Sequence, residues 1–389
     1  MSRFTARLAH RERMPRAHAA LALLAAALPL VGACRALFGR DTIDLDGVEV
    51  KSMGVDIRRR QKTICPRQRV QMAVFADIVK AAGKPPIQVE TWEGNGSRNG
   101  KLDFADFAFR SPDGSFDGEG WFRPRSDLRA TLSREIVITT AYRRQPTKFT
   151  FETRFKPDYD CISETGADGA TGTSGTDGAQ GSAGTPGTAG VTTYGSSTGG
   201  SGSQSHQGPG GKGGDGGRGQ PGGPGGPGSA GPRITIHLAM VKTPFYERLI
   251  AARISGDVTD FLLYPPERKL AVHANGGPGG RGGNGGEGGP GGPGGSGSPP
   301  GAQGAKGAQG QGGAGGPGGR GGRVEVFFDQ RFEAELLAGV AAQANGGAGG
   351  PGGSGGGASG ASGEPGQVER KPADVRGSFA DISGITVLE

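Results

Sequence analysis

The chain has 389 residues, enough for two or three domains, with 81 glycines and a formal net charge of +7. Sixty-eight of those glycines fall between Gly166 and Gly366, which excludes an ordinary apolar core from that half and assigns one to the N-terminal third. The first 33 residues hold five Arg and one Glu, so most of the excess charge sits there, and the remainder is too small to imply a nucleic-acid partner.

Arg3, Arg7, Arg11, Arg13 and Arg16 precede an apolar run from Ala19 to Ala33. That order of charge, apolar run and small residues is the order of a secretion signal, and the run is short for a membrane-spanning helix of about 20 residues. Met14 is a plausible alternative start, because a complete signal follows it. The segment ends in Val31-Gly32-Ala33-Cys34, which resembles the lipobox of bacterial lipoproteins. The resemblance implies cleavage before Cys34, diacylglycerol on its thiol, and a membrane as partner through that anchor. Arg rather than Asp at position 35 implies, by the same resemblance, the outer membrane or cell surface. The alternative is an ordinary signal peptide that leaves Cys34 as a free thiol. Residues 34–46 are expected to link the anchor to the first domain.

Residues 47–162 are expected to form an all-β sandwich. Alternating runs at Val70, Met72, Val74, at Ile87, Val89, Thr91, at Ile136, Ile138, Thr140 and at Phe149, Phe151, Thr153 predict half-buried antiparallel strands, with turns at Gly94-Asn95-Gly96 and Pro112-Asp113-Gly114. Setting Cys34 aside leaves Cys65 and Cys161 for a disulfide in an oxidising compartment; a redox or metal-binding pair lacks CxxC spacing and nearby His. Cys65-Pro66 followed by a strand resembles the second strand of an immunoglobulin-like sandwich, a resemblance covering about ten residues. Trp92 and Trp121 are expected in the core, with a carbohydrate platform as the alternative.

From residue 163 to 389 the composition predicts three glycine-rich hairpins, 166–231, 276–322 and 346–366. A Gly-X-Y frame runs from Gly166 to Gly190 and resumes from Gly210 to Gly231. Eight glycines at three-residue spacing run from Gly276 to Gly297; the frame slips at Ser298-Pro299-Pro300, and eight more follow to Gly322. Equal arms flanking a turn predict hairpins, with tips at Ser298 to Pro300 and Val191 to Gln207. Short β-strands are expected between them, at Arg233 to Leu238, Arg323 to Phe328 and Ile385 to Val387. Val272-His273-Ala274-Asn275-Gly276-Gly277 is echoed at Ala342-Gln343-Ala344-Asn345-Gly346-Gly347, so the unit of strand, arm, turn, arm, strand recurs about three times. Phe245 to Ile254 and Leu336 to Ala344 are candidate short helices, which periodicity does not settle.

A three-residue glycine period matches the turn of polyproline II, whose backbone bonds must be satisfied by neighbours. Each arm of the middle hairpin would span about 65 to 70 Å at roughly 3.1 Å per residue. Doubled glycines favour an antiparallel polyproline II bundle within one chain, since a collagen trimer needs only one per triplet. The trimer and a flexible tether are the competing readings. The pattern resembles the glycine-rich domains of springtail antifreeze protein and of phage tail-fibre adhesins, and Gly166 to Gly190 resembles collagen-like bacterial surface proteins.

No catalytic constellation, cofactor motif or metal set stands out. His237 and His273 would need neighbouring strands and a third ligand, and His206 lies in a glycine- and serine-rich loop. Gly210 to Asp215 partly resembles the calcium nonapeptide of repeat toxins but occurs once, and the glycine runs lack the strand–turn–helix context of phosphate loops. Gly-Gly-Arg-Gly-Gly at Arg281 and Arg320 superficially resembles an RNA-binding box, which an exported protein would scarcely use. Arg58-Arg59-Arg60 and Arg143-Arg144 are expected on solvated strand faces. The expectation is a noncatalytic, lipid-anchored envelope protein of structural or adhesive role, monomeric rather than trimeric, with a surface or matrix partner; a collagen-like trimer and a ligand-binding or ice-binding-like module are the alternatives.

Overall fold

A computed structural model describes residues 42–57, 62–194 and 205–389; the expected signal, Cys34 and Arg58 to Arg60 lie outside them. The described chain is mostly β-strand, with one short α-helix, Glu333–Ala338 (α1).

Nine strands form the first unit: β1 (Glu49–Ile57), β2 (Thr63–Ile64), β3 (Val70–Val79), β4 (Ile87–Glu90), β5 (Phe107–Arg110), β6 (Gly114–Phe116), β7 (Trp121–Pro124), β8 (Ile136–Tyr142) and β9 (Thr150–Pro157). They make one sheet ordered β1-β3-β7-β6, with β4 also on β3, and a second ordered β2-β9-β8-β5. Period-two alternation is plainest in β8, where Ile136, Ile138, Thr140 and Tyr142 are buried and the residues between them half-buried. Residues of both sheets share two apolar clusters, one joining Val74 and Ile78 to Phe107 and Tyr142, the other joining Met72 and Phe122 to Ile136 and Phe155. This two-sheet arrangement fits a β-sandwich. Cys65 and Cys161 form a disulfide across a separation of 96 residues, next to the parallel pairing of β2 with β9.

In the second unit, strands β10 (Glu164–Gly166), β16 (Leu270–His273) and β18 (Val340–Gln343) lead into the three glycine-rich hairpins and pair as one parallel sheet. The strands that leave the hairpins, β13 (Arg233–Lys242), β17 (Arg323–Phe328) and β19 (Gln367–Pro372), pair in parallel in another sheet. That sheet is extended by β14 (Leu249–Gly256) and β15 (Asp260–Tyr264), with β20 (Thr386–Val387) on the far part of β13. At the tip of the first hairpin, β11 (Thr192–Tyr194) pairs with β12 (Ser205–Gln207).

Two segments left open by periodicity are settled by pairing. Leu249 to Ala252 is buried on both faces, so its pattern carries no period, and its register against β13 makes it strand. The Leu336 to Ala344 segment is divided, because α1 ends at Ala338 and Val340 to Gln343 are held in parallel register by β16. Contrary to the expectation from composition, the largest core lies in the glycine-rich half, built by the apolar segments between the hairpins around the β13 sheet, and it also takes in Leu128, Leu132, Tyr159 and Ile162. The boundary at residue 162 therefore cuts through a shared core.

Candidate functional site: a laterally bonded glycine lattice

Six arms without helix or strand run from this base: arm 1 (169–190), arm 2 (208–231), arm 3 (276–297), arm 4 (301–322), arm 5 (346–354) and arm 6 (357–366). Backbone hydrogen bonds between arms recur every third residue. Gly169 N–H donates to Asn275 C=O at 2.8 Å, Gly172 to Pro278 at 2.8 Å, and the series runs to Gly190 and Ser296 at 2.7 Å, joining arm 1 to arm 3. Gly276, Gly279, Gly282 and Gly285 continue from arm 3 to arm 5. In the other layer, Gly213 donates to Ala302 and Gly315 to Ala358, joining arms 2, 4 and 6. Outgoing arms 1, 3 and 5 thus form one layer and returning arms 2, 4 and 6 the other, each continuing a parallel sheet of the base.

The second glycine of each triplet joins the layers. Gly277, Gly280 and Gly283 donate across to Ser229, Gly226 and Gly223, each at 2.8 Å. A methyl group built on Gly277 would overlap the Ala170 carbonyl, and one on Gly283 the Thr176 carbonyl. Both glycines of the triplet are therefore sites where one backbone touches another.

Arm 4 shows what controls the doubling. Where no sixth arm lies beside it, the positions preceding its inward glycines are Gln303, Lys306 and Gln309; from Gly312 onward, where arm 6 begins, they are Gly312, Gly315, Gly318 and Gly321. Gln303 and Gln309 instead donate side-chain amides to the Gly291 and Gly285 carbonyls at 3.5 and 3.4 Å, and Lys306 lies 3.7 Å from Glu287. Arms 1 and 2 show a second rule, which sequence reasoning missed. Thr173, Thr176, Ser182, Thr185 and Thr188 each face a glycine of arm 2, whereas Ala170 and Ala179 face Ser229 and Gln220. Writing arm 2 backwards against arm 1 would have exposed that exchange of large for small.

Side chains tie the outgoing layer at nine-residue intervals. Asn275 Nδ2 donates to Asp168 at 3.0 Å and the Asn345 N–H to Asn275 Oδ1 at 2.9 Å; nine residues on, the Asn284 N–H donates to Asp177 at 2.6 Å and the Ser354 N–H to Asn284 at 3.0 Å. The repeated Ala-Asn-Gly-Gly is one such rung. Outside the rungs, the exposed side chains of arm 3 are Pro278, Arg281, Glu287, Pro290, Pro293 and Ser296, one at each third position.

The structure scatters the other candidates. Trp92 is 2 % exposed, edge-on to Phe104 at 4.8 Å, while Trp121 is half-buried under Arg69 at 4.5 Å. The two tryptophans therefore make no common platform. His237 is on β13 and His273 on β16, in different sheets; His237 stacks on Phe327 at 5.2 Å, and burial, then Arg253, push its pKa down. His206 is exposed in β12. No cluster of three metal-ligating side chains occurs among the described residues. Asp215 of the calcium-like stretch accepts the Ala305 N–H at 2.8 Å, which with Lys212 lowers its pKa, so it serves as a bond between arms 2 and 4. Arg143 donates to the Phe107 carbonyl at 2.9 Å, and Arg144 pairs with Asp44, Asp46 and Asp106. At the tip of the first hairpin, Val191 and Tyr194 are 76 % and 77 % exposed, the most exposed large hydrophobic side chains among the described residues. No described helix is long and apolar enough to cross a membrane.

No protein-family model, curated protein or solved structure matches the chain.

Proposed function

We propose that the chain is a noncatalytic, lipid-anchored protein of the bacterial cell envelope, in which a six-arm polyproline II bundle is carried on a β-sandwich and serves a structural or adhesive role. The observation that carries this reading is the use of glycine: the inward glycines are spent on contact between backbones, and what remains outside is a row of side chains recurring at every third residue. A surface of that kind suits display and adhesion, with Tyr194 and Val191 presented at one hairpin tip. Paired arms of one chain satisfy each other's donors, which supports a monomer over a collagen-like trimer. An immunoglobulin-like topology of the sandwich remains part of the proposal through Cys65-Pro66 and the strand after it.

Two measurements test it. Sedimentation equilibrium of the chain from Arg35 is expected to give a monomer; a stable trimer that melts with loss of the collagen dichroic signal would replace the bundle with a triple helix. Metabolic palmitate labelling is expected in the parent and absent in Cys34→Ser, and persistence of label in that variant would remove the anchor assignment.

A further inference from the structure

Where arms 2, 4 and 6 enter the β13 sheet, Arg233, Arg320 and Arg323 line an open groove of about 620 Å³ together with Thr235, Glu325 and Gln367. Arg233, Arg323 and Gln367 are in register on adjacent parallel strands, so two like charges are direct neighbours, an arrangement that costs stability unless something neutralises it. Arg323 is shared between Glu325 at 3.1 Å and Glu369 at 3.0 Å, and Glu325 is also 3.2 Å from Lys371. Neither Arg233 nor Arg320 forms a salt bridge among the described residues; the Asp257 carboxylate accepts the Arg233 backbone N–H at 2.8 Å, and Glu325, in register with Thr235, pairs with Arg323 and Lys371. The groove lining therefore carries three guanidiniums against one carboxylate.

We propose that this groove binds a phosphate monoester, with Arg233 and Arg320 as its principal ligands. Two uncompensated guanidiniums match a phosphate dianion, whereas a carboxylate would neutralise only one of them. The fork of each guanidinium offers paired N–H donors to oxyanion oxygens, and Gln367 and Thr235 supply neutral donors beside them. The volume lies in the range of small-molecule sites and exceeds what bare phosphate fills, which leaves room for a substituent such as a sugar. This site is independent of the lipid anchor and of the adhesive role.

Calorimetric titration of the full chain with inorganic phosphate, glucose 6-phosphate and acetate tests it. Glucose 6-phosphate is expected to bind more tightly than phosphate, and both more tightly than acetate. Arg233→Ala with Arg320→Ala is expected to weaken glucose 6-phosphate binding at least about tenfold, since each lost charge-assisted bond is large on that scale. Arg218→Ala, on arm 2 away from the groove, is expected to leave affinity unchanged. A dichroic melt establishes that the double variant is folded; should it unfold, Arg233→Lys with Arg320→Lys is expected to show a smaller but measurable loss, because the charge that matches the dianion is kept and the paired donors are removed. No phosphate binding by the parent, equal affinity for acetate, or undiminished affinity in a folded variant would each overturn the assignment.

Discussion

Gln220 is a glycine-lattice position that is not glycine, and its neighbour explains why. It donates its N–H to Ala179 at 2.8 Å, in the series where Thr173, Thr176, Ser182, Thr185 and Thr188 of arm 1 each meet a glycine of arm 2. A Cβ at Gly223 would lie 2.8 Å from the Thr176 Oγ1, so a hydroxyl-bearing side chain on arm 1 and a Cβ on arm 2 compete for one space. Ala179→Thr is accordingly expected to destabilise by about 1–3 kcal/mol through overpacking. Adding Gln220→Gly is expected to recover most of that loss, although Gly alone costs about 0.5–1 kcal/mol of chain entropy. Chemical denaturation of the four members of this cycle measures the coupling, and strict additivity would show that the two residues do not share the space. Gly283→Ala has no such remedy, because its methyl would meet a backbone carbonyl on Thr176; a loss above about 3 kcal/mol is expected, and an unchanged melt would refute close contact there. His237 adds a pH dependence. Its folded pKa is pushed down by burial and by Arg253, so the unfolded chain binds the proton more readily. Stability from this group is complete above the unfolded value of about 6.5 and falls as pH drops through the window below it. His237→Gln is expected to flatten the denaturation midpoint between about pH 6.5 and the lower folded pKa, and an unaltered slope would place the dependence elsewhere.

At the scale of elements, paired arm lengths and doubled glycines were legible because they are consequences of one backbone lying against another. The slip at Ser298 to Pro300 marks a turn, and Gly301 does bond back to Gly295 across it at 2.9 Å. The sorting of leading and leaving strands into two parallel sheets was not legible, since a short run such as Leu270 to His273 contains nothing that names its neighbour. Nor was β14, whose residues Leu249 to Ala252 are buried on both faces and so show neither period. The arginine groove also escaped sequence reasoning: Arg233 and Arg323 are 90 positions apart and meet only through the β13–β17 register. Arm 4 allows a test of how neighbours dictate composition. Gln309 lies on the stretch that arm 6 does not reach and closes it with an amide bond to Gly285 at 3.4 Å. Gln309→Gly is expected to cost no more than about 1–2 kcal/mol, from one weak bond and added chain freedom, whereas Gly315→Gln, at the equivalent position beside arm 6, is expected to disrupt the third hairpin. Amide exchange read at Gly360 and Gly363 separates the two: protection there should survive the first substitution and vanish with the second.

The whole molecule is held together at residue 162, where composition alone would have divided it. Leu128, Leu132, Tyr159 and Ile162 come from the sandwich side of that boundary and are at most 3 % exposed within the core of the β13 sheet. Arg67–Asp260 at 2.6 Å and the Tyr246 hydroxyl on the Pro157 carbonyl at 2.9 Å cross the same junction. The disulfide fixes Cys161, next to Ile162, to Cys65, so it braces the segment through which the two units share their apolar interior. Burying a leucine of this kind contributes roughly 2–5 kcal/mol against alanine. Leu132→Ala is therefore expected to lower the stability of sandwich and glycine lattice together, as one calorimetric transition moving to lower temperature. Cys65→Ser with Cys161→Ser is expected to do the same by up to about 4–5 kcal/mol, the loop-entropy figure for a closure of this length. A chain beginning at Ser163 lacks all four apolar residues and is expected to bind a hydrophobic dye that the full chain does not. Two separate transitions in the parent, with only the earlier one moved by Leu132→Ala, would show that the glycine-rich half folds without its neighbour and that the shared core is no more than a contact.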